Sequence, residues 1–126
     1  MKNLIFIFII NLINAQLYLE LIAENFDKPV YVTTHPENSN IFYIIEQDGY
    51  IWIIDNGVEL DSPFLDITDR VHKPLFPGDE MGLLGFTFDP NFKTNQFIYV
   101  NYNDKDDNTI IYNSNISILF YNIKNI

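Results

Sequence analysis

Any chemistry in this chain has to come from a short set of residues. Two histidines occur, His35 and His72. Neither has a second ligand at a helical or hairpin spacing, so both read as loop histidines rather than a metal pair or a general base. There is no cysteine, which excludes disulfides, thiolate zinc sites, Fe–S clusters and a cysteine nucleophile. No Gly-x-Ser-x-Gly elbow is present. Asp104-Lys105-Asp106-Asp107-Asn108 opens like a calcium loop, but lacks the sixth-position Gly and twelfth-position Glu of an EF-hand. It reads as a solvated loop between strands. Acids are abundant, yet nothing in the sequence fixes two of them relative to one another as a hydrolytic pair. No catalytic residue and no metal ligand is assigned on these grounds.

The elements that would position such residues are strands. The chain has 126 residues, 48% of them apolar and 16% aromatic, which suits one globular domain and excludes disorder. A net charge of −10 argues against a nucleic-acid partner, because phosphate binding needs basic patches. Strands are expected over Leu17 to Ala23, Pro29 to Thr34, Ile41 to Glu46 and Tyr50 to Asp55. The last two flank Gln47-Asp48-Gly49, a hairpin signal in which Gly accepts positive φ. Ile, Phe, Tyr and Trp occupy both faces of these strands, so both faces must be covered. The expected fold class is all-β, either stacked sheets or propeller blades. Trp52 and the tyrosines lie within apolar strands and read as core rather than as a sugar-stacking platform.

A weak internal repeat bears on that choice. Thr34-His35-Pro36 precedes a polar stretch and the strand Ile41-Phe42-Tyr43-Ile44. Phe88-Asp89-Pro90 precedes a polar stretch and Phe97-Ile98-Tyr99-Val100. The two prolines lie 54 positions apart, a period suited to a four-stranded blade.

One segment is more specific. Residues 78–92 read Gly-Asp-Glu-Met-Gly-Leu-Leu-Gly-Phe-Thr-Phe-Asp-Pro-Asn-Phe. This resembles the signature of the glucose/sorbosone dehydrogenase family, in which Gly-Asp/Glu-x-x-Gly-Leu-Leu-Gly is followed by a short strand and His-Pro-x-Phe. The flanks Pro29-Val30, Glu46-x-x-Gly49 and Phe64-Leu65-Asp66-Ile67 agree, and the likeness extends over about residues 17–112. It includes the hedgehog-interacting-protein-like animal branch, whose members often carry Pro-Gly-Asp-Glu as at Pro77 to Glu80. The resemblance implies an incomplete six-bladed β-propeller of about the first two blades. It implies pyrroloquinoline quinone (PQQ) and calcium in the parent enzymes, with neither expected to be bound by this segment. Their catalytic histidine lies downstream of anything that aligns here, so the chain is expected to be inactive as given. One cofactor position carries over, Glu80, where a quinone-contacting residue sits; Gly82, with Gly85, would shape the cofactor floor. For Glu80 a solvated loop carboxylate is the competing reading; for Gly82 and Gly85 it is a bulge or a close backbone approach. Asp89 departs from the family's usual His at a turn.

Two functions follow from the resemblance. One is a secreted PQQ-dependent aldose dehydrogenase-like protein with a sugar substrate. The other is a non-catalytic binding propeller whose loops hold a secreted protein ligand. Residues 1–15 read as a secretory signal peptide, with Lys2, an apolar run over Leu4 to Ile13 and small Ala15, too short to span a bilayer. The expected location is extracellular, with no transmembrane segment after the leader. Residues 16–112 would form the propeller portion, and 113–126 a divergent tail from a truncated gene model. Asn115-Ile116-Ser117 is a sequon, with Asn115 as glycan acceptor.

Overall fold

A computed structural model of the chain describes residues 17–116. The fold is all-β: strands β1 (Pro29–His35), β2 (Asn38–Glu46), β3 (Tyr50–Asp55), β4 (Val58–Glu59), β5 (Leu65–Asp66) and β6 (Leu83–Phe88) precede one helical turn, α1 (Phe92–Asn95), then β7 (Phe97–Asn103) and β8 (Thr109–Asn115). They form two antiparallel sheets, β1-β2-β3-β4 with β5 also on β3, and β6-β7-β8. These are two blade-like sheets of an unclosed propeller.

The first sheet is built on the β2–β3 hairpin, whose ladder runs from Ile41↔Asp55 to Glu46↔Tyr50. Gly49 closes its turn at φ +115, and a Cβ there would press on the backbone of Thr68 at 3.1 Å. Both a positive φ and a close approach therefore demand glycine. β4 and β5 share the outer edge of β3, at Asp55–Ile54 and Ile51–Tyr50 respectively. Backbone bonds Leu60 N–H to Ile53 O (3.1 Å) and Phe64 N–H to Ile51 O (2.7 Å) continue that edge between them. Together they act as one interrupted fourth strand, broken near Pro63, which has no N–H to donate.

The repeat in the sequence is a repeat of structure. β1 and β6 begin at Pro29 and Leu83, the same 54 positions apart as Pro36 and Pro90. The second copy adds α1 before its middle strand. Asp89 holds that insertion. Its carboxylate accepts the Asn91 N–H (2.8 Å), the Asn95 Nδ2–H (2.8 Å) and the Tyr99 hydroxyl (2.7 Å). Gln96 in the left-handed region (φ 56) ends the turn.

The sheets pack through one core containing Tyr43, Ile45, Ile51, Leu83, Phe86 and Ile98. Tyr43 is its aromatic hub, stacked on Phe86 (5.4 Å between ring centroids) and edge-on to Phe64 and Phe88 (both 5.1 Å). His35 belongs to this packing, 5.5 Å from Phe92 and 5.6 Å from Phe88. The expectation that both faces of β2 are covered holds: adjacent Ile44 and Ile45 are both buried. Trp52 is half-buried, and its indole N–H donates to Glu46 Oε2 at 2.9 Å.

The strand expected over Leu17 to Ala23 does not form. A strand needs a ladder partner, and no described strand pairs with this segment. Instead residues 20–26 run beside β1 and β2, lining with Val30, Val32, Phe42 and Ile44 an open cleft of about 820 Å³. The tail boundary expected at 112 falls inside β8, where Asn113, Ser114 and Asn115 pair with Tyr99, Ile98 and Phe97. The expected leader and residues 117–126 lie outside the described residues.

Candidate functional site

The segment between β5 and β6 is organised by a buried carboxylate. Pro74 and Pro77 restrict φ on either side of Leu75 and Phe76. Gly78 then turns the chain at φ +96, and the Asp79 N–H donates to Phe76 O at 3.1 Å. This brings Asp79 back under its own loop. Its Oδ2 accepts the Leu75 N–H (3.0 Å) and its Oδ1 the Met81 N–H (3.1 Å). These two backbone donors, Leu75 first, hold the Asp79 carboxyl below the usual carboxylate range, with His72 adding to them.

Gln47, in the β2–β3 turn, fastens this loop to the first sheet. Its Nε2 donates to Asp79 O (2.7 Å) and Met81 O (2.8 Å), and its own carbonyl accepts the Leu83 N–H (2.8 Å). Gly82 lies between, at φ +142, where a Cβ would overlap the Gln47 carbonyl oxygen. Asn103 at the end of β7 fixes the other side, donating its N–H to Gly82 O at 2.9 Å.

His72 joins the loop to the β7–β8 turn. Its N–H donates to Asn103 O at 2.8 Å, beside the Val71↔Asp104 bridge. The ring spans two carboxylates, with Nε2 3.1 Å from Asp79 Oδ2 and Nδ1 2.9 Å from Asp107 Oδ1. The His72 side chain is 11% exposed, Asp79 3% and Asp107 62%. Asp79, and then Asp107, raise the His72 pKa above its ordinary 6.5, against the opposing pull of desolvation. With both ring nitrogens engaged by carboxylates, His72 has none free to take a proton from a nucleophile. The arrangement is a brace, not a catalytic dyad.

What the brace presents is apolar. Leu75 is 80% and Phe76 64% exposed. The same loop, with Lys28 and Gln47, lines a cleft of about 500 Å³.

The residues expected to carry chemistry fall around this loop in different roles. Glu80 is solvent-exposed and makes no hydrogen bond to another described residue. Gly82 is packed on the Gln47 backbone. Gly85 follows a register shift in the β6–β7 ladder. Asn115, at the far end of β8, donates its Nδ2–H to Asn95 O at 2.7 Å, so the atom that would carry a glycan is tied into the fold. Asp104 is consumed locally, accepting the N–H groups of Asp106 and Asn108 (both 2.9 Å). Among the described residues no group of three acidic or histidine side chains is arranged to hold a metal. Lys28, a cation on the cleft, is paired with Asp48 at 3.1 Å. The residue that sequence reasoning missed is His72. Its partners are seven and thirty-five positions away in two different loops, and only the fold brings them together.

No protein-family model matches the chain. It is 38% identical to Hedgehog-interacting protein of Mus musculus over 76 residues, covering 60% of this chain and 11% of that protein. It is 33% identical to Hedgehog-interacting protein of Homo sapiens over 85 residues, covering 67% of this chain and 12% of that protein. The HIPL1 protein of Arabidopsis thaliana is 32% identical over 78 residues, with 55% of this chain and 11% of that protein covered. The chain thus spans about a tenth of the length of the curated relatives it matches. No helix among the described residues is long and apolar enough to cross a membrane.

Proposed function

We propose that this chain supplies two blades of a secreted, non-catalytic binding propeller of the Hedgehog-interacting kind, and that the loop over residues 74–79 is part of its partner-facing surface. The observation that carries this reading is the similarity to Hedgehog-interacting protein at 38% and 33% identity. The site supports it from the physical side. Its histidine is held between two carboxylates, and it exposes the large apolar side chains Leu75 and Phe76. Apolar and aromatic anchors on a rigid frame are what binding hot spots require, because little conformational entropy is lost on docking. Prolines at 74 and 77 and the Asp79 cage supply that rigidity. The leader expected over residues 1–15 supports a location outside the cell.

The test is a binding titration of the secreted full-length protein against an immobilised hedgehog-type ligand. A saturable signal is expected, weakened about tenfold or more by the double substitution Leu75→Asp, Phe76→Asp. Absence of binding, together with aldose-dependent dye reduction in the presence of PQQ and calcium, would overturn the reading in favour of the dehydrogenase.

A further inference from the structure

We propose that His72 is a pH-operated latch on the 74–79 loop, tying it through Asp79 to Asp107 as an imidazolium and releasing it on deprotonation. The inference rests on the reading above, since the latched loop is the one assigned to partner contact. Its basis is stoichiometric. An ionised carboxylate only accepts hydrogen bonds, so each ring nitrogen facing one must carry a proton. Nε2 faces Asp79 at 3.1 Å and Nδ1 faces Asp107 at 2.9 Å. Both contacts are made only by the doubly protonated ring. A neutral ring keeps one N–H and turns a lone pair toward the other carboxylate, which repels it.

The groups facing the ring come from two segments, between β5 and β6 and between β7 and β8. Asp79 belongs to the loop itself and Asp107 to the β7–β8 turn. Lys73 and Lys105 line the same shallow recess as His72. The lysines oppose protonation but make no hydrogen bond to the ring, whereas both carboxylates touch it. The bridge spans two separate pieces of chain, so its loss is felt by the loop. Asp79 would keep its backbone donors Leu75 and Met81 but lose its tie to the second sheet.

The window follows from the directions of the shifts. The folded-state pKa of His72 lies above 6.5, so the latch is complete below that value and is lost as pH rises through the raised one. Protonation of Asp79, whose pKa lies below 3.8, would break the loop's end of the bridge in acid. A more rigid loop binds with less ordering cost, so partner affinity should be higher in mildly acidic medium than in alkaline medium.

The experiment is hydrogen exchange of the Leu75 and Met81 amides in the full-length protein without ligand, from about pH 5.5 to about pH 8.5. After correction for the intrinsic rate, protection of both amides should fall about tenfold or more across the His72 titration, the loss of one charge-assisted bond. His72→Gln should abolish the pH step. Asp107→Asn, which leaves the Asp79 contact in place, should move the midpoint to lower pH, and it decides the matter if the glutamine variant does not fold. Protection that is flat with pH in the unmodified protein, or a midpoint unmoved by Asp107→Asn, would overturn the latch. Exchange without ligand reports the latch alone. A pH step with no ligand binding would sink only the binding reading, and binding with flat exchange only the latch.

Discussion

The carbonyl of Gln47 sits so close over Gly82 that no side chain can stand between them, and it accepts the Leu83 N–H at 2.8 Å from the same position. This contact is where the second blade-like sheet is pinned to the first. It explains the first glycine of the Gly-Leu-Leu-Gly run without a ligand.

Substituting Gly82 should therefore be severe and Gly85 mild. Gly82→Ala combines an unfavourable φ of +142 with overlap against backbone, and should cost about 3 kcal/mol or more. At Gly85 a Cβ would meet Asn101 Cβ at an ordinary 3.5 Å, so Gly85→Ala should stay within about 1 kcal/mol. Urea unfolding of the two variants checks this. Equal losses would mean that the Gln47 contact is not what fixes the residue.

Much of the fold was legible because its signals are local. The Asp48-Gly49 turn and the apolar runs of β2 and β3 lie within a few residues of one another. The failure at Leu17 to Ala23 has the opposite cause: alternation alone cannot supply a ladder partner. The candidate site was half legible. The glycines stood out as a motif, but their roles depend on Gln47 in another sheet. His72 looked solitary because its two carboxylates come from separate loops, and Asp107 looked like one acid among several.

Acid should act on several carboxylates at once. Backbone N–H donors are the leading cause holding Asp79, Asp89 and Asp104 below 3.8. A depressed folded-state pKa gives stability that is present above the unfolded value and lost as pH falls through the folded one. Stability should thus decline below about pH 4, and Asp89→Asn should flatten part of that decline. A chain whose unfolding midpoint in denaturant is unchanged from about pH 6 to pH 3 would contradict the role given to these bonds.

The outer strands should govern solubility. β1 exposes Val30, Tyr31 and Val32, and β8 exposes Ile111 and Tyr112. Unpaired edges carrying apolar side chains are templates for association. The 126-residue chain alone should therefore self-associate at micromolar concentration. Val32→Lys with Ile111→Lys should reduce light scattering while leaving the far-UV spectrum unchanged, since neither side chain is in the core. A monodisperse unmodified chain would show that these faces are not sticky.

Tyr43 offers a spectroscopic probe of the core that joins the two sheets. Burial pushes its phenol up to about 12 from 10.0, because the phenolate would lose its hydration among Phe64, Phe86 and Phe88. A raised folded-state pKa means that stability is intact below 10 and declines as pH climbs toward 12, since the unfolded chain ionises first. The full decline for a shift of this size is about 3 kcal/mol. Absorbance at alkaline pH should show a late-titrating tyrosine that is missing in Tyr43→Phe, beside Tyr99, whose hydrogen bond to Asp89 also raises its pKa. That variant should also lose the Tyr43 share of the alkaline fall in stability, leaving the share of Tyr99, while keeping its ring packing. If its alkaline fall matches that of the unmodified chain, ionisation of Tyr43 is not what loosens the core.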